Sequence, residues 1–396
     1  NSYISGSHFR NELIQTLNSA NKISWNGTGS GASDWAIMSY FARAMYNYDS
    51  KYLLTVNMRA DGSSKLSPSN RWGYFPSLSA AWRLSSESFM EDQTWVDDLK
   101  IRGGWGQTGN QSGLGDYAYL QLYNIERFQW FQVGFENAVP NISPSNLRTK
   151  DLRWETTTQS NLGIDFVGLN NRLSLTLDYY HKKTTDMLMY ATLPDGQIAS
   201  SIRRNEGEMT NKGFEATIGT KNIRKALTWD TDFNISFNKN RLDKLELQKI
   251  YYAAKTSEIV NDYVVRNEPG RSLGGFYGYI SDGVNPETGE LMYRDLNNDG
   301  KISSSDRTYI GDPNPKFTYG MTNNFSYKNF DFSVFVQGSY GNDIYNSSRI
   351  EMEGMYDGKN QITKVLDRWK IPGQITDVPK AGYDIKNSTY FIEDGS

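Results

Sequence analysis

The stretch Lys51-Tyr52-Leu53-Leu54-Thr55-Val56-Asn57-Met58-Arg59-Ala60-Asp61 decides the fold. One parity reads Tyr52, Leu54, Val56, Met58, Ala60, and the other reads Leu53, Thr55, Asn57, Arg59, Asp61. Apart from Leu53 the two sets separate by polarity. A period of two is that of a β-strand with one apolar and one polar face, whereas a helix would scatter each set around its axis.

The alternation returns along the chain. Leu162, Ile164 and Phe166 alternate with Asn161, Gly163 and Asp165, and Leu173, Leu175, Leu177 and Tyr179 alternate with Ser174, Thr176, Asp178 and Tyr180. Phe233, Ile235 and Phe237 are interleaved with Asp232, Asn234 and Ser236. The pattern predicts strands at 34–47, 51–61, 73–83, 98–106, 155–167, 172–182, 213–221, 228–238, 316–326 and 330–340. Eleven residues rise about 36 Å, and at a tilt near 40° they cover about 28 Å, close to the apolar band of an outer-membrane barrel.

Links between these strands alternate in length. Those at 48–50, 168–171, 222–227 and 327–329 are short, and those at 62–72, 107–154, 183–212, 239–315 and from 341 onward are long. A meander crossing a bilayer has short periplasmic turns and long outside loops. The link 84–97 breaks the rule and reads as a small helical or packed elbow. Segment 107–154 must hold either no crossing or two, and two are expected, at Tyr117–Asn124 and Arg127–Phe135. Tyr390–Ser396 reads as the start of a further strand. An edge left unpaired in lipid exposes a row of N–H and C=O groups, so the sequence is read as a piece of a longer barrel.

Composition agrees with a wall one residue thick. Among 396 residues, aromatics reach 14% while all hydrophobic residues reach only 37%. The formal charge of −3, from 42 Lys plus Arg against 45 Asp plus Glu, lacks the basic field of a nucleic-acid binder. With no cysteine and two histidines, thiolate chemistry is excluded and a His-based metal site has few ligands. No run approaches a membrane helix in length, which leaves a membrane barrel open.

Motifs for catalysis are sought and not found. Gly104-Trp105-Gly106-Gln107-Thr108-Gly109 spells a dinucleotide fingerprint, but the residues after it are no helix former and the surrounding chain alternates as strands. No acid/base spacing stands out among the carboxylates, and the chain is read as no enzyme. The segment Asp295–Asp306 is sharper. Asp295, Asn297, Asp299, Ser303 and Asp306 stand at positions 1, 3, 5, 9 and 12 of a calcium loop, with Gly300 at 6 and the Lys301 carbonyl at 7. An Asx-rich turn without an ion is the alternative. Gln361–Lys370 carries Ile362, Val365, Leu366 and Trp369 on one helical face and is the best helix in the chain. Trp130, Phe131, Phe135 and Trp154 are candidates to face a ligand, as are Phe276, Tyr277 and Tyr279, which can instead pack on a barrel mouth or plug.

Several segments then fall in the order of one known family. Tyr74-Phe75-Pro76-Ser77-Leu78-Ser79-Ala80-Ala81-Trp82-Arg83-Leu84 and Leu99-Lys100-Ile101-Arg102-Gly103-Gly104-Trp105-Gly106 resemble the barrel of SusC/RagA-type TonB-dependent outer-membrane transporters of Bacteroidota. So do Asp151-Leu152-Arg153-Trp154-Glu155, Asn211-Lys212-Gly213-Phe214-Glu215, and the loop 295–306 running on to Ile310-Gly311-Asp312-Pro313. The resemblance implies an all-β chain, the antiparallel transmembrane β-barrel portion of about 10–12 long strands from a barrel of about 22, with long extracellular loops. Residues 1–396 would be one C-terminal barrel part, with the calcium loop inside the 239–315 excursion.

It further implies residence in the cell outer membrane and import of oligosaccharides, or of peptides, under a SusD-like lipoprotein. The TonB–ExbB–ExbD system would supply energy through a plug region outside this sequence. Asn57, Arg59, Asp61, Lys100, Arg102, Asp178, Asp230, Asp232 and Asn234 would face the lumen, since charges facing lipid are costly. A surface or secreted glycan-binding β protein without transport is the competing reading.

Overall fold

The computed structural model describes residues 6–9, 20–23, 33–133, 137–144, 147–193, 201–246 and 249–396. Ten strands form one antiparallel sheet: β1 (Ile37–Tyr48), β2 (Tyr52–Ser63), β3 (Trp72–Arg83), β4 (Val96–Asn110), β5 (Glu155–Gly168), β6 (Leu173–Thr192), β7 (Ser201–Arg224), β8 (Leu227–Leu245), β9 (Phe317–Tyr327) and β10 (Phe330–Tyr340). Each strand pairs with its neighbour in this sequence order, so the sheet is a meander. All ten expected strands form. At the β1–β2 turn Asp49 and Ser50 take φ of 52° and 53°, the mirror-image geometry that matches strand twist.

The sheet is open, which corrects the expected transmembrane β-barrel portion. Strands β1 and β10 are its two edges, and the sheet neither closes nor curls into a barrel. Alternation fixes which face is greasy. Closure is a separate condition, because the first and last strands must also meet in register.

Three local expectations also change. Segment 183–212 is mostly ladder rather than loop: β6 and β7 reach 20 and 24 residues and pair as far as Thr192 opposite Ser201. Register breaks between Thr184 and Met187 on β6, and between Glu208 and Met209 in the β7–β8 ladder, fall at one level of the sheet, since Thr184 lies opposite Met209. Neither crossing expected in 107–154 enters the sheet. β4 pairs directly with β5, and Tyr123–Val133 pairs with Asn137–Pro144 in a separate hairpin. The helix expected over 361–370 shrinks to a single 3-10 turn, Thr363–Asp367. Trp369 leaves it, its backbone N–H donating to the Val378 carbonyl at 2.9 Å and its indole N–H to the Pro286 carbonyl at 2.7 Å.

The 84–97 elbow appears as two 3-10 turns, Leu84–Ser86 and Ser88–Met90. Glu87 between them accepts from the Tyr52 hydroxyl at 2.7 Å and the Trp82 indole at 2.9 Å, tying the elbow to the sheet.

Buried apolar side chains gather at the long-link end and in the segments outside the large sheet. One cluster packs Leu66, Phe75, Leu114, Leu152, Trp154 and Leu188 at the long-link end. Other fully or nearly fully buried residues, among them Phe276, Ile350, Val378, Tyr383 and Phe391, belong to the segments after β8. There the strands Tyr251–Lys255, Tyr263–Asn267, Phe276–Gly278 and Thr308–Gly311 form a small sheet. Helix α1 (Ser348–Glu353) is clamped by its own ion pair, with Arg349 2.8 Å from Glu353. Burial would raise the Glu353 pKa, but the bonds and charge of Arg349 outweigh it and hold the carboxyl below its ordinary value. The chain end does not extend the ten-stranded sheet: Ile392–Asp394 pairs with Asp343–Tyr345.

Candidate functional site

The two faces of the sheet are chemically distinct over its whole width. One row of laterally paired residues runs Tyr48, Tyr52, Trp82, Ile101, Ile164, Leu177, Ala216, Ile235, Tyr319, Gly338, one from each strand and none charged. Nothing in the described residues buries this face: Tyr52 and Val56 are 45% and 44% exposed, and Leu175 and Phe233 are only partly covered. An uncovered apolar surface of this extent marks contact with another apolar phase.

The opposite face carries the charges. The register puts Asn57, Arg59, Asp61, Lys100, Arg102, Asp178, Asp230, Asp232 and Asn234 together on it, as the alternation requires. Arg102 on β4 bonds to Asp165 on β5 at 3.1 Å and to Asp178 on β6 at 2.6 Å, while Lys100 reaches Asp165 at 2.9 Å. Gly163 makes that reach possible. A Cβ there would lie 2.6 Å from the Arg102 guanidinium carbon and 2.7 Å from an Asp178 oxygen. Asn57 bonds to Ser77 at 3.0 Å, Arg59 to Asp61 at 2.7 Å and Arg224 to Asp230 at 2.9 Å. The pattern missed Asp165 as a partner because polarity along one strand does not reveal who stands opposite.

The aromatic candidates separate. Trp154 is 7% exposed, edge-on to Phe75 with ring centres 5.6 Å apart, and its indole donates to the Arg71 carbonyl at 3.0 Å. Phe276 is buried against Tyr345, Tyr279 lies beside Tyr293, and Tyr277 is edge-on to Tyr309 beneath Arg266. Trp130 and Phe131 stand on the separate hairpin, opposite Pro140 and Val139, and their side chains lie outside the described residues, as does the whole of Phe135.

The 295–306 loop closes on itself. Asp306 is fully covered and accepts from the backbone N–H groups of Leu296 at 2.9 Å and Ser303 at 2.8 Å. The backbone bond from Ser303, followed by those from Leu296 and Asn297, holds the Asp306 carboxyl below its ordinary range despite burial. Asp295 accepts from Asn298 at 2.7 Å and Gly300 at 2.8 Å, and Asp299 from Lys301 at 2.8 Å. Asn297 leans on Asp299 at 2.9 Å. These bonds engage both oxygens of Asp306 and use only part of the accepting capacity of Asp295 and Asp299. Among the described residues no three His, Asp or Glu side chains already converge on one point.

Comparison with known proteins adds an independent line. The profile of the family described as TonB dependent receptor-like, beta-barrel matches residues 2–391. The chain is 34% identical over 378 residues to TonB-dependent receptor P3 of Formosa agariphila, covering 91% of this chain and 37% of that one. It is 36% identical over 335 residues to TonB-dependent receptor SusC of Bacteroides thetaiotaomicron, covering 81% of this chain and 33% of that one. It therefore spans well under half the length of these relatives. A solved structure of the RagAB peptide transporter superposes with a TM-score of 0.81 at 23% identity, covering 98% of this chain and 43% of that one, a likeness of fold.

Proposed function

Because the chain belongs to the TonB-dependent receptor-like β-barrel family, in its SusC/RagA-like branch, we propose that it is part of an outer-membrane importer of oligosaccharides or peptides. The family is one of transport proteins, and the chain is no enzyme. The observation that carries the reading is the division of the ten-stranded sheet into an uncovered apolar face, suited to lipid, and an ion-paired face, suited to water. Energy comes from the TonB–ExbB–ExbD system, and a SusD-like lipoprotein covers the outer mouth. Likeness to SusC and to the RagAB fold supports that partner.

The test uses the full-length protein in its own bacterium. Labelled oligosaccharides and peptides are offered to cells with and without functional TonB, and the lipoprotein is sought by co-purification. Uptake that collapses without TonB supports the importer. Binding at the cell surface with no TonB-dependent uptake would instead indicate a glycan-binding protein without transport.

We also propose that the 295–306 loop holds calcium through Asp295, Asn297, Asp299, the Lys301 carbonyl, Ser303 and Asp306. Bound there, the ion would staple the excursion between β8 and β9. Adding calcium to the metal-free full-length protein is expected to slow protease cleavage within 285–310 in the wild type but not in Asp299→Ala. Equal cleavage with and without the ion would leave the loop an Asx-rich turn. The Asp306 carboxyl pKa is lowered by folding, so its support for the loop is full above its ordinary value and lost as pH falls through the depressed one.

A further inference from the structure

At the long-link end, the loop after β4 crosses the β6–β7 hairpin and leaves a cleft of 270 Å³ lined by Asp116, Tyr117, Leu122, Leu147, Tyr190 and Arg203 among others. Tyr190 and Arg203 are direct partners across the hairpin. The Arg203 guanidinium lies 4.8 Å from the centre of the Tyr190 ring, and Tyr190 is 53% exposed. Arg203 donates to the Leu188 carbonyl at 3.4 Å, its Nε is buried without a partner, and no carboxylate pairs with it among the described residues. Gly113 keeps the guanidinium's place clear, since a Cβ there would sit 2.9 Å from Nη2.

The other charges of the cleft cancel. Asp116 is bonded to the Ser33 hydroxyl and lies 3.0 Å from the Lys65 ammonium, and these two, the hydroxyl first, keep it ionised by lowering its pKa. The lining therefore offers one unmatched cation, fixed against an aromatic ring and bordered by apolar Leu122 and Leu147. A planar guanidinium with free donor capacity suits a carboxylate.

We propose that this cleft is a substrate subsite that selects for a carboxylate, with Arg203 as the specificity-determining residue and Tyr190 as its platform. The inference rests on the importer reading and adds the charge class of the cargo. Two sources present the same group: acidic or free-C-terminal peptides, and uronate-bearing oligosaccharides.

The full-length protein, purified with its outer-membrane partner, is titrated calorimetrically with an acidic tetrapeptide and its fully amidated analogue, and with trigalacturonate and its methyl ester. The wild type is expected to prefer one acid form over its neutralised counterpart, and the pair that shows the preference identifies the source. Arg203→Gln should weaken the acid form by roughly 10- to 100-fold and leave the neutral form unchanged, while Arg203→Lys, which keeps the charge but not the fork, should lose less. Wild-type binding of neither acid form, or equal weakening of acid and neutral forms in Arg203→Gln, overturns the proposal. If Arg203→Gln shifts the thermal unfolding midpoint, Arg203→Lys takes its place, and discrimination equal to wild type in that variant overturns the proposal. TonB-dependent uptake by the same cells separates the two levels: import that persists without charge discrimination removes the subsite and keeps the importer.

Discussion

Leu177→Arg is expected to cost about 2–4 kcal/mol of folding stability in lipid, with Thr176→Arg changing it by less than about 0.5 kcal/mol. The two positions are adjacent on β6 but opposite in direction. Leu177 sits between Ile164 and Ala216 in the uncharged row, whereas Thr176 lies between Asp165 and Thr217. An arginine at 177 meets hydrocarbon, and one at 176 meets water with a carboxylate nearby. Urea unfolding of the full-length protein in lipid vesicles reads both. Equal penalties would mean that the apolar face does not meet lipid, and the transport reading would go with it.

The second large effect is at the rim. Trp154→Ala should remove about 3–5 kcal/mol from local stability, because the side chain is 7% exposed and packs edge-on against Phe75 in the long-link cluster. Trp154→Phe keeps most of the packing and loses the bond to the Arg71 carbonyl, a loss of about 1 kcal/mol. Hydrogen exchange over 64–75 and 147–155 measures the change, and protection equal to wild type in Trp154→Ala would show that the cluster does not hold the rim. Burial already argues against a ligand-facing role for Trp154, since a side chain this covered has no free ring face.

How much of this was legible in the residues depends on what alternation can encode. The period of two located the ten strands of the large sheet and sorted Asn57, Arg102, Asp178 and Asp232 onto one face, since direction in a strand follows from parity alone. It could not say that β6 runs on past residue 182 or that β7 begins well before 213. The residues there, such as Lys183, Thr184, Thr185 and Asp186, lack an apolar side where the hairpin rises past the greasy band. Nor could it supply lateral closure, a property of strands that meet and not of any one strand. The helix expected around Trp369 failed for another reason: an amphipathic pattern is only a request for a covering surface. Trp369 found it by donating to Pro286 and Val378 and lying on Gly289. Arg203 carries no signal in the sequence, because its significance is the tyrosine facing it across a hairpin whose residues read as a loop.

The aligned register breaks on β6, β7 and β8 have a mechanical consequence. Below them the β5–β6 and β6–β7 ladders run without a break and resist bending together. At Thr184–Met187 and Glu208–Met209 the ladders skip, and Asp186 takes a φ of 57°. The breaks score a fold line across the tall part of the sheet. Such breaks loosen a ladder, so the parts of β6 and β7 above them are coupled less firmly to the rungs beneath than those rungs are to one another.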